Sequence, residues 1–399
     1  MSVNWEVAIP EANELNSGGP SMQAILPAVF EPADGAERGV TVEIHTGGLP
    51  PSVDAEMQRL YGNIHSTLAH LRIYGGLADI THTYIARRRG FPLAVFLLSV
   101  DGDTIRVVNE GMTVSEDELE RFAKEIFSRW PHVRAISMHA VRSEVVRLRL
   151  PLQQYDCTAN IVLPLPATAE EYVASLGKNM RRNLRRYMDK LKRDFPSMRH
   201  EVFEKDAASE QHIRDIIDLN RVRIAGKNMR YGLDPEVENV IALTRECGMV
   251  VVMTIDGRVA AGSVGYFAGD TYFFKVISHD PKYNDYSAGI LCCYLTICEC
   301  IARGCREYNF MWNEYEYKFA LGAHVRSLQH LAVYRSRLHL LLTPRMAADN
   351  ALNAIRREAS ALLETAKPEE LSKGELAAMR VLRGLRDAKQ KVAGLLRRA

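Results

Sequence analysis

The pattern of apolar and polar positions alternates between two periods along the chain. Residues 54–74 repeat every three to four positions, as a helix does. Residues 80–88, 92–100 and 104–110 are rich in β-branched and aromatic residues, separated by short turns, and predict three strands. Residues 115–130 place Leu119, Phe122, Ile126 and Phe127 on one helical stripe, with Ser115 as the cap and Glu118 completing a capping box. Residues 133–141 predict the next strand. The same order then recurs. Residues 249–255, 259–267 and 271–278 read as strands, 287–303 as an apolar helix with Ser287 as its cap, and 307–312 as a strand. Gly102-Asp103-Thr104 and Gly269-Asp270-Thr271 fall at the same hairpin in each copy. The shared order predicts an α/β chain of two similar subdomains, descended from a duplication.

The intervening and flanking segments complete the plan. Residues 168–195 predict one long helix with Tyr172, Leu176, Met180, Leu184, Tyr187 and Leu191 on a face, and residues 209–227 and 235–247 predict two more. Residues 314–323 hold tyrosines and a lysine in a short helical stretch. Beyond Leu338 the chain reads as helical to its end, broken at Pro344 and Pro368. Residues 1–50 lack periodicity and read as a loose lead-in. The division expected is thus 1–50, then subdomains at 51–165 and 166–337, then a helical basic tail at 338–399.

Composition narrows the class. Of 399 residues, 47% are hydrophobic and 25% charged, ordinary for a globular protein. The net charge of +2 argues against a general polyanion binder. The charge is uneven, however: residues 345–399 hold 12 Lys/Arg and 7 Asp/Glu, a local +5, which leaves −3 for the rest. The first residues show no basic start followed by an apolar run, and the longest apolar stretch, 289–302, falls short of the roughly 20 residues a bilayer span needs. A cytoplasmic protein with reduced thiols is expected. Five of the seven cysteines crowd residues 292–305. Cys293 and Cys300 would share a helix face about two turns, roughly 10 Å, apart, too far for one zinc with Zn–S bonds of about 2.3 Å. Small buried thiols and no metal are the expectation.

Several chemistries are absent from the sequence. It has neither a Gly-x-x-x-x-Gly-Lys-Ser/Thr loop nor a His-Glu-x-x-His pair, and Ala261 breaks the elbow pattern around Ser263. What remains is a helix opening beside a strand end, whose first amides are unpaired and suit an anion. A basic helix also remains, with eight Lys/Arg and one Asp between Lys178 and Arg193. Arg181 and Arg185 form one strip on it, Arg182 and Arg186 another. Arginine forks suit phosphates or carboxylates, and a solvated basic face is the plainer reading. In the tail, Ala378, Met379, Leu382, Leu385, Val392, Leu395 and Leu396 oppose Arg380, Arg383, Arg386 and Lys391. That stripe is expected to pack on its own domain or on a protein partner; a membrane surface is the other reading.

Three motifs carry a resemblance: Lys178-Asn179-Met180-Arg181-Arg182-Asn183-Leu184-Arg185-Arg186, then Tyr286-Ser287-Ala288-Gly289-Ile290-Leu291, then Tyr308-Asn309-Phe310 with Tyr317-Lys318 and Gly322. Through them residues 168–337 resemble the acetyltransferase domain of the GNAT superfamily, in its CelD/BioF-like branch. The resemblance implies tandem GNAT-like subdomains with mixed central sheets flanked by helices. It implies an N-acyltransferase that takes acetyl or another acyl group from acyl-CoA. The acceptor would be a small primary amine, such as an amino sugar or sugar nucleotide of surface-polysaccharide assembly. It places the pantetheine between strands 271–279 and 307–312. It places the pyrophosphate on the amides of Ser287, Ala288, Gly289 and Ile290, and adds Asn309 to the cofactor set. Tyr317 becomes the candidate acid, Lys318 a phosphate or oxyanion partner, and Glu314 or His279 a base. Arg181, Arg182 and Arg185 become acceptor contacts. Tyr317 read plainly is a core aromatic, and Lys318 a surface lysine. Fem-type transferases, which use aminoacyl-tRNA, share the double-domain plan and a similar ending, and stand as the alternative. A non-catalytic scaffold of the same fold stands third.

Overall fold

Two hairpins of one design mark the two halves of the chain. Gly102 and Gly269 sit at φ 56° and 57°, a left-handed backbone that glycine adopts without a Cβ clash. Each lets a long strand fold back on the one before it. A computed structural model describes residues 39–225 and 232–365, with side chains to residue 358. The chain before Gly39, Lys227, Pro368 and the tail stripe from Ala378 to Leu396 lie outside the described residues.

In the first half β1 (Val40–Thr46) precedes helices α1 (Val53–Tyr61) and α2 (Leu68–Tyr74), then β2 (His82–Arg88), β3 (Phe91–Asp101) and β4 (Thr104–Val107). A two-residue β5 (Thr113–Val114), helix α3 (Glu116–Arg129), β6 (Ala135–Ser143) and β7 (Leu152–Pro164) follow. Helices α4 (Ala169–Ser175) and α5 (Lys178–Asp194) lead into the second half. There the order repeats: β8 (Arg199–Glu204), α6 (Glu210–Ala225), α7 (Val237–Cys247), β9 (Gly248–Ile255), β10 (Arg258–Ala268), β11 (Thr271–His279), α8 (Ala288–Ala302) and β12 (Glu307–Asn309). Helix α9 (Glu316–Ala320), β13 (His324–Tyr334), α10 (Arg337–Leu342) and α11 (Pro344–Thr365) close the described chain.

All of these strands join one mixed sheet of order β1-β2-β3-β4-β6-β13-β7-β12-β11-β10-β9-β8, with β5 beside β6. The order is a palindrome of the duplicated halves. Each half has a parallel pair in its main strand order, β4 with β6 and β11 with β12, which requires a crossover; α3 and α8 supply it, and the short β5 also runs parallel to β6. At the centre the halves exchange their last strands: β7 pairs with β12 of the second half, and β13 returns to pair with β6 of the first. β7 and β13 also pair with each other over ten registered residues. Arg326 on β13 reaches across β7 to clasp both oxygens of Glu307 on β12, at 2.8 and 2.6 Å. Cores lie on both sides of this sheet. One side packs α3 against β2–β4, β6 and β13, and α4, α5 and α8 against β9–β12; the other packs α1 and α2 against β2 and β3, and α6 and α7 against β9–β11.

Several sequence expectations are corrected here. A strand, β1, occupies part of the supposed lead-in and pairs with β2. The helix expected over 54–74 breaks at Gly62, where Asn63 accepts from the His65 amide and starts a new turn. The helix expected over 168–195 breaks at Leu176, which leaves helical backbone at ψ 150° while its side chain stays buried. Ser115 caps α3 as expected, but Glu118 does not complete the box: Tyr84 and Arg121 hold its carboxylate. Strand 307–312 ends at Asn309. The cysteines of 292–305 are free thiols, and Cys292, Cys293, Cys300 and Cys305 fill the core around α8.

Candidate functional site

The site begins where β11 and β12 part. Their parallel pairing covers three residues, ending at Phe273 opposite Asn309. β11 then bulges at Lys275, where Val264 pairs with Val276 but Gly265 with Phe274, and continues to His279 paired only with β10. The chain beyond Asn309 turns the other way. It stays tied to β7 by Phe310 N–H to Ile161 O at 2.7 Å and Ile161 N–H to Met311 O at 2.8 Å. Met311 and Asn313 both take positive φ, 57° and 66°, a conformation that L-residues rarely adopt. The Asn309 side chain, spent on the Met311 amide at 2.8 Å, fixes the first of these turns.

Lys318 holds the second. Its side chain is only 2% exposed. The ammonium donates to Phe310 O at 3.0 Å and to Trp312 O at 2.5 Å. By bridging both carbonyls the lysine fixes the path of residues 310–313, which no longer pair with β11. Burial lowers the Lys318 pKa to about 8, against a smaller upward pull from Cys293. Lys318, expected as a phosphate or oxyanion partner, is buried rather than the surface lysine of the plainer reading, and it bridges two backbone carbonyls.

The opening of α8 lies at the mouth of the wedge. A turn over Pro281–Tyr286 precedes it, with Asp280 accepting from the Lys282 amide at 2.9 Å. Ser287 does not cap with its side chain, because its backbone is left-handed at φ 51°. Its N–H donates to Asn284 O at 2.9 Å and its carbonyl accepts the Ile290 N–H at 2.9 Å. The Ser287 and Ile290 amides are therefore taken. Ala288 is fully buried, which leaves Gly289 as the reachable donor among the four. A Cβ on Gly289 would lie 2.7 Å from His279 Nδ1, so the absence of a side chain there is what lets the histidine cover the helix start. His279 Nε2 sits 2.8 Å from Asn284 Oδ1.

Helix α5 runs alongside. Lys190 Nζ is 3.4 Å from Asp285 O and 4.4 Å from the centre of the Tyr286 ring, and Tyr286 donates to Asp194 at 3.1 Å. A hydrogen bond with Ser287, then one with Arg186, lowers the Tyr187 pKa. Arg181, Arg182 and Arg185 are exposed nearer the start of α5, and Arg181 donates to Ala174 O at 3.0 Å. Arg181 lies about 13 Å along the axis from Lys190 at roughly 1.5 Å per residue. Lys190 thus stands beside the α8 entry, while Arg181, Arg182 and Arg185, expected as acceptor contacts, lie in the first turns of α5.

Tyr317 is half-buried, edge-on to Phe310 at 6.3 Å and stacked on Tyr315 at 6.1 Å. Burial first, then Cys293, raises its pKa, while Arg223 pulls it down. The phenol therefore stays protonated at neutral pH, as a proton donor must. Cys293, one turn past Gly289 on α8, influences both Tyr317 and Lys318. Glu314 is exposed in the loop before α9. Two α6 residues were missed by the sequence reading. Asn220, buried, donates to Ile277 O on β11 at 3.0 Å, and Arg223 follows one turn later. A polar Asn220 on the stripe of Ile213, Ile216 and Ile217 was the available signal. Ser263 is spent on Thr296 at 2.7 Å within the core. Among the described residues, no group of three or more His, Cys, Asp or Glu is placed to hold a metal ion, and no helix is long and apolar enough to cross a membrane.

Residues 178–319 match the family described as Acetyltransferase (GNAT) domain. No curated protein matches the sequence. Among solved structures, FemX is 11% identical with a TM-score of 0.55, over 75% of this chain and 99% of FemX, and shows that the fold is shared. A conserved protein of unknown function from Bacteroides thetaiotaomicron VPI-5482 is 12% identical, over 71% of this chain and 96% of its own, at a TM-score of 0.45. A tandem GNAT protein from the clavulanic acid biosynthesis pathway is 11% identical, over 73% and 98%, at 0.34.

Proposed function

We propose, from the premise that residues 178–319 are a GNAT-type acetyltransferase domain, that this N-acyltransferase draws its acyl group from acyl-CoA and delivers it to a primary amine. The observation that carries the reading is the wedge, held open by Lys318 and mouthed by the start of α8. The edge of β11 that β12 leaves unpaired suits the amide-bearing pantetheine arm of the donor. The Gly289 amide and Lys190 suit its phosphates. The neutral amine attacks the thioester carbon, the C–S bond breaks, and the thiolate leaves. A thiol's reference pKa near 8.5 makes that thiolate a modest leaving group, which a proton from Tyr317 improves. The amine's proton passes to Glu314, to His279 or to water. On the resemblance of its motifs, the acceptor is an amino sugar or sugar nucleotide of surface-polysaccharide assembly in the cytoplasm.

Calorimetric titration with acetyl-CoA tests this. Micromolar binding is expected. Gly289→Ala should weaken it tenfold or more, because the methyl drives the His279 ring across the remaining amide. Combining it with His279→Ala should recover most of the loss. Unchanged affinity in Gly289→Ala would remove the α8 entry from the donor site.

One observation favours the alternative donor, aminoacyl-tRNA. With the Ser287 and Ile290 amides spent, the α8 entry offers less to a pyrophosphate than four free amides would. The exposed basic face of α5 would then track an RNA backbone. Absence of acyl-CoA binding, with tRNA binding that weakens steeply as salt rises, would select that reading.

A further inference from the structure

The first half of the chain sends one rigid turn into the second. Residues Ile64–Ser66 form a single helical turn between α1 and α2. Asn63 accepts from the His65 amide at 2.9 Å, the Thr67 hydroxyl donates to Ile64 O at 2.8 Å, and the Ser66 hydroxyl donates to Glu110 O at 2.5 Å. Ile64 is buried in one cluster with Leu243 of α7, Phe273 of β11 and Met311. Tyr272, Phe274 and Phe310 belong instead to the core around α8, so the turn docks on the face of the sheet opposite α8.

This turn carries His65 to the fork of the wedge. The imidazole meets Phe273, the last β11 residue paired with β12, edge-on at 6.5 Å, and lies 5.9 Å from the ring of Trp312 on the departing chain. Its Nδ1 is 3.2 Å from His70 Nε2, which leaves Nε2 of His65 as the nitrogen available to a ligand. His70 stacks on Tyr74 at 4.7 Å. The Lys275 ammonium stands 5.4 Å from the Tyr74 ring centre and pairs with Glu236 at 2.6 Å. His70 Nδ1 is buried with no partner among the described residues, which is rare for a polar atom in a purely structural role. Burial, then His70, then Lys275 lower the His65 pKa to about 3; burial, then Lys275, lower that of His70 to about 4. Both rings are therefore neutral at neutral pH. Surroundings that keep a proton off these rings also disfavour one on an amine beside them, and only a neutral amine attacks a thioester.

We propose that His65 Nε2 receives the acceptor's primary amine at the fork and takes its proton as the C–N bond forms, so that the first half supplies a catalytic residue to the second. This rests on the acyl-transfer reading above and names the proton acceptor that it left among Glu314, His279 and water. The amine donates a hydrogen bond to Nε2 while its lone pair attacks the thioester carbon. The C–S bond breaks, and the thiolate takes the Tyr317 proton. A ring of low basicity cannot strip an ammonium, but it accepts from a nitrogen that the new C–N bond has made acidic. The tautomer required carries its hydrogen on Nδ1 and donates it to His70 Nε2. Tyr317 packs on Phe310 in the core around α8, so nucleophile and leaving group are served from opposite faces.

The test uses the full chain with acetyl-CoA and two probe amines, glucosamine and cadaverine, and reads release of the CoA thiol. His65→Ala should lower kcat about a hundredfold or more, with the affinity for acetyl-CoA and the thermal midpoint retained. Free imidazole should restore at least tenfold in His65→Ala and nothing in Tyr317→Phe, a recovery that a merely structural histidine would not show. Wild-type turnover in His65→Ala, or a loss that imidazole leaves untouched while acetyl-CoA still binds, would overturn the assignment. Carbethoxylation by diethyl pyrocarbonate, located by mass spectrometry, reads the amine site without the donor. Either amine should slow modification of His65 relative to the exposed His132 in the same sample, and more at pH 9 than at pH 7. Protection of His65 without acetyl-CoA binding upholds the amine site and refutes the donor. Acetyl-CoA binding with no protection by either amine refutes the role of His65 alone.

Discussion

Lys318→Met should lose acetyl-CoA binding and acyl transfer almost completely while the protein remains folded. Methionine keeps the length and apolar character of the stem and removes only the donors. Phe310 O and Trp312 O then lose their partner. Each buried carbonyl left without a donor costs about 1–3 kcal/mol. An opposing effect comes from the charge itself. A pKa lowered from 10.5 to about 8 means that burying the ammonium costs roughly 3 kcal/mol, at about 1.4 kcal/mol for each tenfold change. Two carbonyls at that cost come to about 2–6 kcal/mol, so the effects largely offset, and a net change no larger than a loss of about 3 kcal/mol is expected from urea unfolding. Binding should suffer far more. Freed of the lysine, residues 310–313 can relax from two left-handed positions and drift toward the unpaired edge of β11, closing the space the donor needs. A Lys318→Met protein with wild-type affinity for acetyl-CoA would show that the wedge is held by other means.

The second large effect concerns alkaline stability. Cys247 and Cys292 are pushed up to about 12 and Cys298 to about 11, burial being the first cause in each, and Cys300 is raised well above its ordinary value. In the unfolded chain these thiols ionise near 8.5–9. Between pH 9 and 11, then, the folded state holds protons that the unfolded state has lost, and stability must fall as pH rises. By pH 10.5 each of the three thiols held at about 11 or 12 contributes a loss of about 2 kcal/mol, or roughly 6 kcal/mol together, and Cys300 acts in the same direction. Lys318 acts in the opposite sense. Its folded pKa lies below the unfolded one, so between about 8 and 10.5 it adds stability as pH rises, by up to about 3 kcal/mol. The net loss of about 3 kcal/mol from these groups is a large share of the whole stability of many domains. Urea midpoints measured under reducing conditions at pH 7.5, 9 and 10.5 should be level across the first interval and drop sharply across the second. A midpoint unchanged at pH 10.5 would contradict the burial of these thiols.

Much of the fold could be read from the sequence, because its most regular parts are locally determined. The repeated Gly-Asp-Thr hairpins and the apolar run of α8 each depend on a few neighbouring residues, and they appear where expected. The strands β7 and β13 were hidden. Gln153, Gln154, Asp156 and Asn160 on one, and His324, Arg326, Gln329 and His330 on the other, blur the alternation that marks a strand. These strands are held by pairing with partners far away in the chain, and that pairing leaves no local signal. The candidate site divides the same way. That a helix start would face a strand end was visible in the order of elements. That Ser287 would fail as a cap was not, since the failure comes from a left-handed backbone at that residue. Nor was the burial of Lys318, which follows from the path of residues 310–313 rather than from the lysine's own neighbours.

The exchange of last strands also constrains how the molecule can be made. During synthesis the first half emerges from the ribosome with β6 open along one side, because its partner is not β7 but β13, which ends at Tyr334. An exposed strand edge is sticky, and long-range pairing is slow to form. The nascent chain must therefore wait, through most of its translation, for the segment that seals its own first half. A gene cut between the halves would yield two fragments, each with an unsealed edge and a strand that belongs to the other.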